Sequence, residues 1–240
     1  MDNLKKLVYP GRVIALGRDP GGQFNVVIYA VTGRSPSSRA RKLVLESGVV
    51  WTKPTDREAV KKGNPDLLVY PAVVLGPGIA VSNGKQTPGI DILFGGSPVQ
   101  ALDQALENWS YEPDFPTFTP RISGCILATN RAALSVIRRS EDGGNVRSFF
   151  EFPILAGKAK MVSTYSGPNK DPLPSFWGEP LDLPIEASSA GETAEAVYGA
   201  LAPSEKGEDY RVAVVSIYAS VKDMGDYRLC IINQAERMIR

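Results

Sequence analysis

Histidine is absent from this sequence, and cysteine occurs only twice. Without histidine the chain lacks both the usual general base near neutral pH and the commonest zinc ligand. Cys125 and Cys230 lie in apolar stretches without metal-ligand spacing, so we expect structural thiols rather than nucleophiles or metal ligands. Any acid–base chemistry must therefore use Tyr, Glu, Asp, Lys or Cys side chains.

An excess of one charge and a long apolar run are also lacking. The 27 Lys and Arg residues are balanced by 26 Asp and Glu, which argues against a broad cationic surface for nucleic acid. No apolar run approaches the roughly 18 residues of a membrane span, and no apolar leader is present. Together with the two cysteines, this pattern predicts a cytoplasmic protein without a membrane partner.

Turn residues divide the apolar runs of the chain into hairpins. Residues 11–18 and 24–31 are apolar and joined by Asp-Pro-Gly-Gly. Further strand pairs are predicted within 122–138 and 210–232.

Two helices are predicted among these strands. Ser97 can cap a helix over Ser97–Trp109, with Pro98 at its first position, and a second helix is predicted over Ala190–Leu201. Many hairpins with two helices differ from the strand–helix alternation of a parallel doubly wound sheet. We therefore predict an α+β fold in which two mostly antiparallel sheets pack face to face with helices outside.

Three local predictions depend on the sequence pattern alone. Lys42–Trp51 is predicted to form one strand, and Phe149–Leu155 is predicted to pair with Ala159–Tyr165 in a hairpin. Leu67–Leu75 is apolar but contains Pro71, which indicates an edge strand, a bulge or a bend.

The stretch Val31–Lys42 is rich in serine and cations. Arg34, Arg39, Arg41 and Lys42 follow a predicted strand, with three serines between them. Serine hydroxyls, backbone N–H groups and guanidinium forks can together bind a phosphate. The simpler interpretation is a solvated basic loop, since short basic motifs often occur without a ligand.

Several short motifs share turn, arginine and tyrosine residues and follow one another along the chain. They are Tyr9-Pro10-Gly11-Arg12 with Gly17, Gly33-Arg34-Ser35 with Arg39, Val81-Ser82-Asn83-Gly84 with Thr87, Tyr111-Glu112, Thr119-Pro120-Arg121-Ile122 and Ser163-Thr164-Tyr165. In this order and spacing they resemble the stand-alone, archaeal-type IMP cyclohydrolase family, over residues 9–130 and 159–166.

The resemblance implies an αββα four-layer sandwich similar to the N-terminal-nucleophile hydrolases. It implies a single domain over residues 1–240, with an irregular insert at about 167–184 that contains five prolines. It also implies a cofactor-free hydrolase-class enzyme that closes 5-formamidoimidazole-4-carboxamide ribonucleotide (FAICAR) to IMP, the last step of de novo purine biosynthesis. The partners would be these two nucleotides, and the oligomeric state is left open.

The resemblance also suggests site residues, to which we assign roles from their chemistry. Tyr70 would donate to the oxyanion or the leaving oxygen, Glu112 would accept the carboxamide proton, and Arg39 would polarise the formyl oxygen. Tyr165 and Lys85 are fallback acids or bases. The candidates for substrate binding are Arg34, Ser35, Arg12, Asn83 and Arg121.

Most of these residues have an ordinary structural interpretation as well. A tyrosine such as Tyr70 on an apolar strand is often a core residue, and a glutamate such as Glu112 after a helix is often solvated. Asn83 with the following glycine is typical of a simple turn. Arg12 and Arg121 could form structural ion pairs.

Two other functions are open on the sequence. An N-terminal-nucleophile amidohydrolase would share the implied fold, but it needs a Ser, Thr or Cys freed as a new N-terminus. A non-catalytic purine-nucleotide-binding protein would keep the pocket without turnover.

Overall fold

Two antiparallel sheets form the centre of the protein in the computed structural model, which describes residues 1–203 and 207–237. The first sheet has six strands, and neighbouring strands along it are antiparallel. In spatial order these strands are β11 (Leu181–Pro184), β10 (Lys158–Ser163), β1 (Arg12–Arg18), β2 (Phe24–Thr32), β12 (Arg211–Ser220) and β13 (Tyr227–Asn233).

The second sheet has seven strands that follow one another in sequence order. Each strand pairs antiparallel with the next, so the sheet is a meander. The strands are β3 (Arg41–Glu46), β4 (Val49–Pro54), β5 (Pro71–Leu75), β6 (Ile79–Ser82), β7 (Arg121–Ile126), β8 (Ala132–Arg139) and β9 (Asn145–Phe152).

The largest hydrophobic core lies between the two sheets. Because side chains alternate along a strand, Ile14 and Leu16 of β1 enter this core, while Val13 and Ala15 face the opposite side. The central strands β1, β2 and β12 are therefore buried on both faces, which explains their nearly continuous apolar sequences.

Two longer helices cover the outer faces of the sheets. α5 (Pro98–Leu106) packs on β7, β8 and β9, and α6 (Ala190–Ala200) packs on β12 and β13. Ser97 caps α5 through a capping box with Gln100, and Ser189 caps α6. The layers thus run helix, sheet, sheet, helix, which confirms the predicted α+β sandwich.

The remaining helices are short. They are α1 (Asp2–Lys5), α2 (Pro36–Arg39), α3 (Arg57–Lys61), α4 (Pro65–Leu68), α7 (Gln234–Arg237) and a 3-10 turn at Thr87–Gly89. In the described part of the chain, no helix is long and apolar enough to cross a membrane.

Two of the local strand predictions were wrong. Lys42–Trp51 is a hairpin rather than one strand, because Ser47 and Gly48 adopt φ values of 49° and 76° and turn the chain from β3 into β4. The predicted hairpin within 149–165 is also wrong, because β9 and β10 belong to different sheets.

Pro71 begins β5 inside the seven-stranded sheet, so it does not mark an edge strand. The register of β5 against β4 shifts between Val50 and Trp51, as expected for a bulge where the proline lacks an N–H.

A side-chain amide joins the two sheets at one side of the sandwich. Asn233, the last residue of β13, accepts from Leu43 N over 2.8 Å and donates to Leu43 O over 3.0 Å. Leu43 lies on β3, the terminal strand of the seven-stranded sheet, so the amide of Asn233 takes the place of a neighbouring strand at that position.

The proline-rich segment 167–184 is mostly irregular and ends in the short strand β11. Ser175 forms an isolated bridge with Tyr165, and Phe176 N donates to Thr164 O over 3.1 Å. Leu173 packs against Tyr9 and Tyr165. The segment is therefore held against the end of the sandwich where β1 begins and β10 ends.

Candidate active site

A cleft opens at the end of the sandwich where β1 begins, β10 ends and the loop before β7 passes. Its lining includes parts of β1, the residue Tyr165 after β10, the loop before β7, the serine-rich loop at α2 and the segment 167–184. The charged and hydroxyl groups of its lining that matter for chemistry are Arg12, Arg34, Glu112, Asp114, Thr119 and Tyr165.

A buried ion pair between Arg12 and Glu112 forms part of the lining. Arg12 Nη2 donates to Glu112 Oε1 over 2.8 Å, and the two side chains expose only 8% and 3% of their surface. Asn83 Nδ2 donates to the same oxygen over 3.1 Å and to Pro120 O over 2.9 Å. Breaking such a pair by removing one partner would leave an uncompensated buried charge.

The ion pair leaves hydrogen-bonding capacity unused. Arg12 Nε is buried and has no hydrogen-bond partner in residues 1–203 and 207–237. Within the same residues, Glu112 Oε1 takes both side-chain hydrogen bonds, and Oε2 receives none. Since buried polar groups are normally paired, Arg12 Nε is an exception, and Glu112 Oε2 can accept a further hydrogen bond.

Burial sets the protonation behaviour of the pair. It raises the pKa of Glu112 above its ordinary value of 4.5, although the charge of Arg12 acts in the opposite direction. Burial lowers the pKa of Arg12, but Glu112 together with Tyr70, Tyr165 and Tyr29 outweighs this effect and leaves the Arg12 pKa raised. Glu112 is thus a stronger proton acceptor than an exposed glutamate, next to a permanent cation.

A second hydrogen-bonded system lies in the same cleft. Asp114 Oδ1 accepts from Thr119 N over 2.7 Å, and Asp114 Oδ2 bonds to the Thr119 hydroxyl. The Thr119 hydroxyl also bonds to that of Tyr165. Thr119 and Tyr165 are 1% and 5% exposed, and burial raises the pKa of Tyr165.

The backbone turn at Gly11 makes room for the Tyr165 ring. Gly11 has φ of 70°, and a Cβ built there would lie 2.2 Å from Thr164 Oγ1 and 2.7 Å from Tyr165 ring atoms. Tyr165 stacks on Tyr9, whose ring centroid is 5.7 Å away. Close contact with Thr164 and Tyr165 therefore explains why a residue without a Cβ occupies this position.

The serine-rich loop borders the cleft through α2. Ser35 caps α2 by accepting from Ser38 N, and both serines line the cleft. Arg34 bonds to Asn169 Oδ1 over 3.0 Å and to Asp171 Oδ1 over 2.7 Å, with its guanidinium over the Tyr9 ring. This arginine is half-buried and joins the loop to the segment 167–184.

Four of the predicted site residues lie outside the cleft lining. Arg39 pairs with Glu208 and stacks on Tyr210. Asn83 donates the hydrogen bond to Glu112 that is described above. The remaining two, Tyr70 and Arg121, have hydrogen-bond partners within the protein.

The Tyr70 hydroxyl is fully buried and lies 2.7 Å from that of Tyr29. Arg121 donates from Nε to Ser110 O over 2.8 Å and stacks on Trp109. A direct role of Tyr70 or Arg39 with substrate therefore stays a prediction, and the fallback Lys85 pairs with exposed Asp66.

The sequence suggested Tyr165 only as a fallback acid or base and suggested no role for Thr119 or Asp114. Thr119 and Tyr165 both stand in quoted motifs, but their contact spans 46 positions and is invisible in local patterns. In the described ranges, no group of three or more Cys, Asp or Glu side chains is arranged to hold a metal ion. The cleft thus combines two carboxylates, one buried guanidinium and a tyrosine hydroxyl.

Comparison with known protein families identifies the family of the chain. A family model described as IMP cyclohydrolase-like protein matches residues 9–223, which include every cleft residue named above. No curated protein matches the chain.

Proposed function

Since the chain belongs to the IMP cyclohydrolase-like family, we propose that it closes FAICAR to IMP with loss of water. The observation that carries this proposal is the family match over residues 9–223, which spans a cleft containing a buried Arg–Glu pair with unused hydrogen-bonding atoms. The substrate would be the free ribonucleotide.

The reaction needs few chemical groups from the protein. The carboxamide nitrogen attacks the formyl carbon of the same molecule, so proximity is already supplied by the imidazole ring. The protein must hold the formamide in the reactive rotamer, accept a proton from the attacking nitrogen and stabilise the oxygen that becomes negative.

Arg12 and Glu112 have the properties for these roles. We assign the carboxamide proton to Glu112, whose pKa is raised by burial and whose Oε2 has no donor in the described residues. We assign the developing oxyanion to Arg12, whose Nε is buried without a partner. A guanidinium in a buried site stabilises such a charge more strongly than it would in water.

Other candidates take supporting roles in this proposal. Asn83 fixes Glu112 through its amide, and Tyr70 with Tyr29 lies within electrostatic range of Arg12. Arg34 and the α2 serines at the mouth of the cleft would bind the substrate phosphate.

The direct test is to mix the purified protein with FAICAR and follow IMP formation by absorbance. Glu112→Gln keeps the shape of the side chain and should lower turnover by about 10²–10⁴-fold, the usual contribution of a general base. The matched control is Glu107→Gln, which removes the same charge from an exposed position at the end of α5. Wild-type protein that forms no IMP would overturn the proposed function.

A further inference from the structure

The chemistry of ring closure requires two proton acceptors. Water leaves with the formyl oxygen and with two hydrogens, one from the carboxamide nitrogen and one from the formamido nitrogen. Glu112 accounts for one of these protons in the proposed function. The second must leave the formamido nitrogen while the C–O bond breaks and the C=N bond forms.

The hydrogen bonds of Asp114, Thr119 and Tyr165 have a defined direction. An ionised Asp114 can only accept, so the Thr119 hydroxyl must donate its single hydrogen to Oδ2. Thr119 can then only accept from Tyr165, so the Tyr165 hydrogen points at Thr119. The remaining lone pair of the Tyr165 oxygen is left for the cleft, which Tyr165 lines.

We propose that this chain from Tyr165 through Thr119 to Asp114 is the second proton acceptor, and that Tyr165 takes the proton of the formamido nitrogen. The inference rests on the proposed function. Tyr165 is the catalytic residue of the chain, and Thr119 and Asp114 are positioning residues that set its direction. We call the three residues the acceptor chain.

Each proton in this step has a defined destination. The formamido proton moves to Tyr165 while Tyr165 passes its own hydrogen to Thr119, and Thr119 passes its hydrogen to Asp114. The C–O bond breaks, and its oxygen leaves with the proton that Glu112 took from the carboxamide nitrogen. The second hydrogen of the water comes from solvent, and Asp114, which is partly exposed, returns an equal proton to solvent after product release.

The surroundings of Tyr165 suit a relay rather than a phenolate. Burial raises the pKa of Tyr165, so the hydroxyl stays neutral and both accepts and donates. The charged or titratable groups around Asp114 are Glu112 on its own loop, Arg121 on β7 and Tyr165 after β10, with Arg12 of β1 beside Glu112.

The acceptor chain reverses its direction once the proton has passed. In the product state Tyr165 donates to the ring nitrogen that lost its proton, and Asp114 is protonated. A variant that fixes the chain in this reversed direction should therefore bind IMP more tightly than the wild type does.

Asp114→Asn tests the direction of the chain. The Asn oxygen can still accept from Thr119 N, which faces Oδ1 at 2.7 Å, so its NH₂ must donate to the Thr119 hydroxyl. This fixes the chain in its product direction. Turnover should fall by about 10²-fold, while IMP affinity at neutral pH should rise by about 2- to 10-fold, the size of one neutral hydrogen bond.

Two further variants separate a relay from a merely structural contact. Thr119→Val interrupts the chain, so turnover should fall without any gain in IMP affinity. Thr119→Ser restores a hydroxyl and should recover turnover relative to Thr119→Val. Asp103→Asn on the exposed face of α5 is the matched control for the loss of charge.

Calorimetric IMP binding, combined with FAICAR kinetics, decides between the outcomes. Asp114→Asn with lower turnover and tighter IMP binding than the wild type would support the acceptor chain. A parallel loss of turnover and IMP affinity would overturn it. Wild-type protein that neither forms nor binds IMP would instead overturn the proposed function.

Discussion

The carboxylate of Glu112 combines burial with an ion-pair partner. Because burial dominates, its pKa in the folded chain lies above the ordinary value of 4.5. The folded state then holds this proton more tightly than the unfolded state does. The contribution of Glu112 to stability is therefore fully present at pH values below its pKa in the unfolded state. This contribution is lost as pH rises through its pKa in the folded state.

Glu112→Gln should remove this pH dependence. The wild-type free energy of unfolding, minus that of Glu112→Gln, should decrease as pH rises above 4.5 towards neutrality. Denaturant unfolding of both proteins across this range measures the difference, in which the titration of all other groups largely cancels. A difference that increases with pH would mean that Arg12, not burial, controls Glu112.

Arg34 is the cation that the structure places at the mouth of the cleft. Arg34→Ala should weaken IMP binding by about 1.5–3 kcal/mol, the range for a hydrogen bond to a charged group. The matched control is Arg57→Ala on the exposed side of α3, and calorimetry measures both. Arg39→Ala should cost less, because Arg39 lies outside the cleft lining. If Arg34→Ala and Arg57→Ala lost the same amount of IMP affinity, the serine-rich loop would have no specific role in binding the nucleotide.

Local sequence patterns could predict part of the site. Arg12, Arg34, Ser35 and Glu112 belong to short motifs, and the fold brings all four to one cleft. The direction of the acceptor chain could not be predicted, because it depends on hydroxyl contacts between distant segments. The same limit explains Tyr70, whose partner Tyr29 lies on the other sheet.

At the scale of elements, the sequence predicts turns and helix caps, but it does not predict which sheet a strand joins. Ser97 with the following proline and Gln100 predicts α5 because the cap contacts are local. The predicted pairing of 149–155 with 159–165 is wrong because the two strands, although adjacent in sequence, belong to different sheets. The sheet that a strand joins depends on long-range packing, which neighbouring residues do not encode.

The segment 167–184 is attached to the cleft through few side chains. Leu173 is 6% exposed and fills the space beside Tyr9 and Tyr165. Leu173→Ala should leave a gap there and weaken the segment locally, with amide hydrogen exchange at 166–176 rising several-fold or more. Global melting should change little, because the two sheets have their own core.

Leu93→Ala is the control for this substitution, since Leu93 is 64% exposed. Unchanged exchange at 166–176 in Leu173→Ala would show that the backbone bonds from Ser166 to Pro174 and from Phe176 to Thr164 hold the segment by themselves.

At the scale of the whole molecule, the geometry of the cleft depends on how the two sheets pack against each other. Arg12 lies on β1 and Tyr165 follows β10 of the six-stranded sheet, while Glu112 and Thr119 precede β7 of the seven-stranded sheet. The ion pair and the acceptor chain therefore both cross from one sheet to the other. Rigid packing of the core between the sheets is what keeps these groups in register.

The amide of Asn233 has a consequence for colloidal behaviour. It occupies the outward N–H and C=O of Leu43 on β3, which would otherwise be open to a strand from another molecule. Asn233→Ala should expose this position and promote concentration-dependent self-association, detectable by light scattering before any loss of secondary structure. Asn64→Ala, at an exposed helix cap, is the control. If Asn233→Ala stays monodisperse, Asn233 joins the sheets without protecting their edge, and the chain resists aggregation by other means.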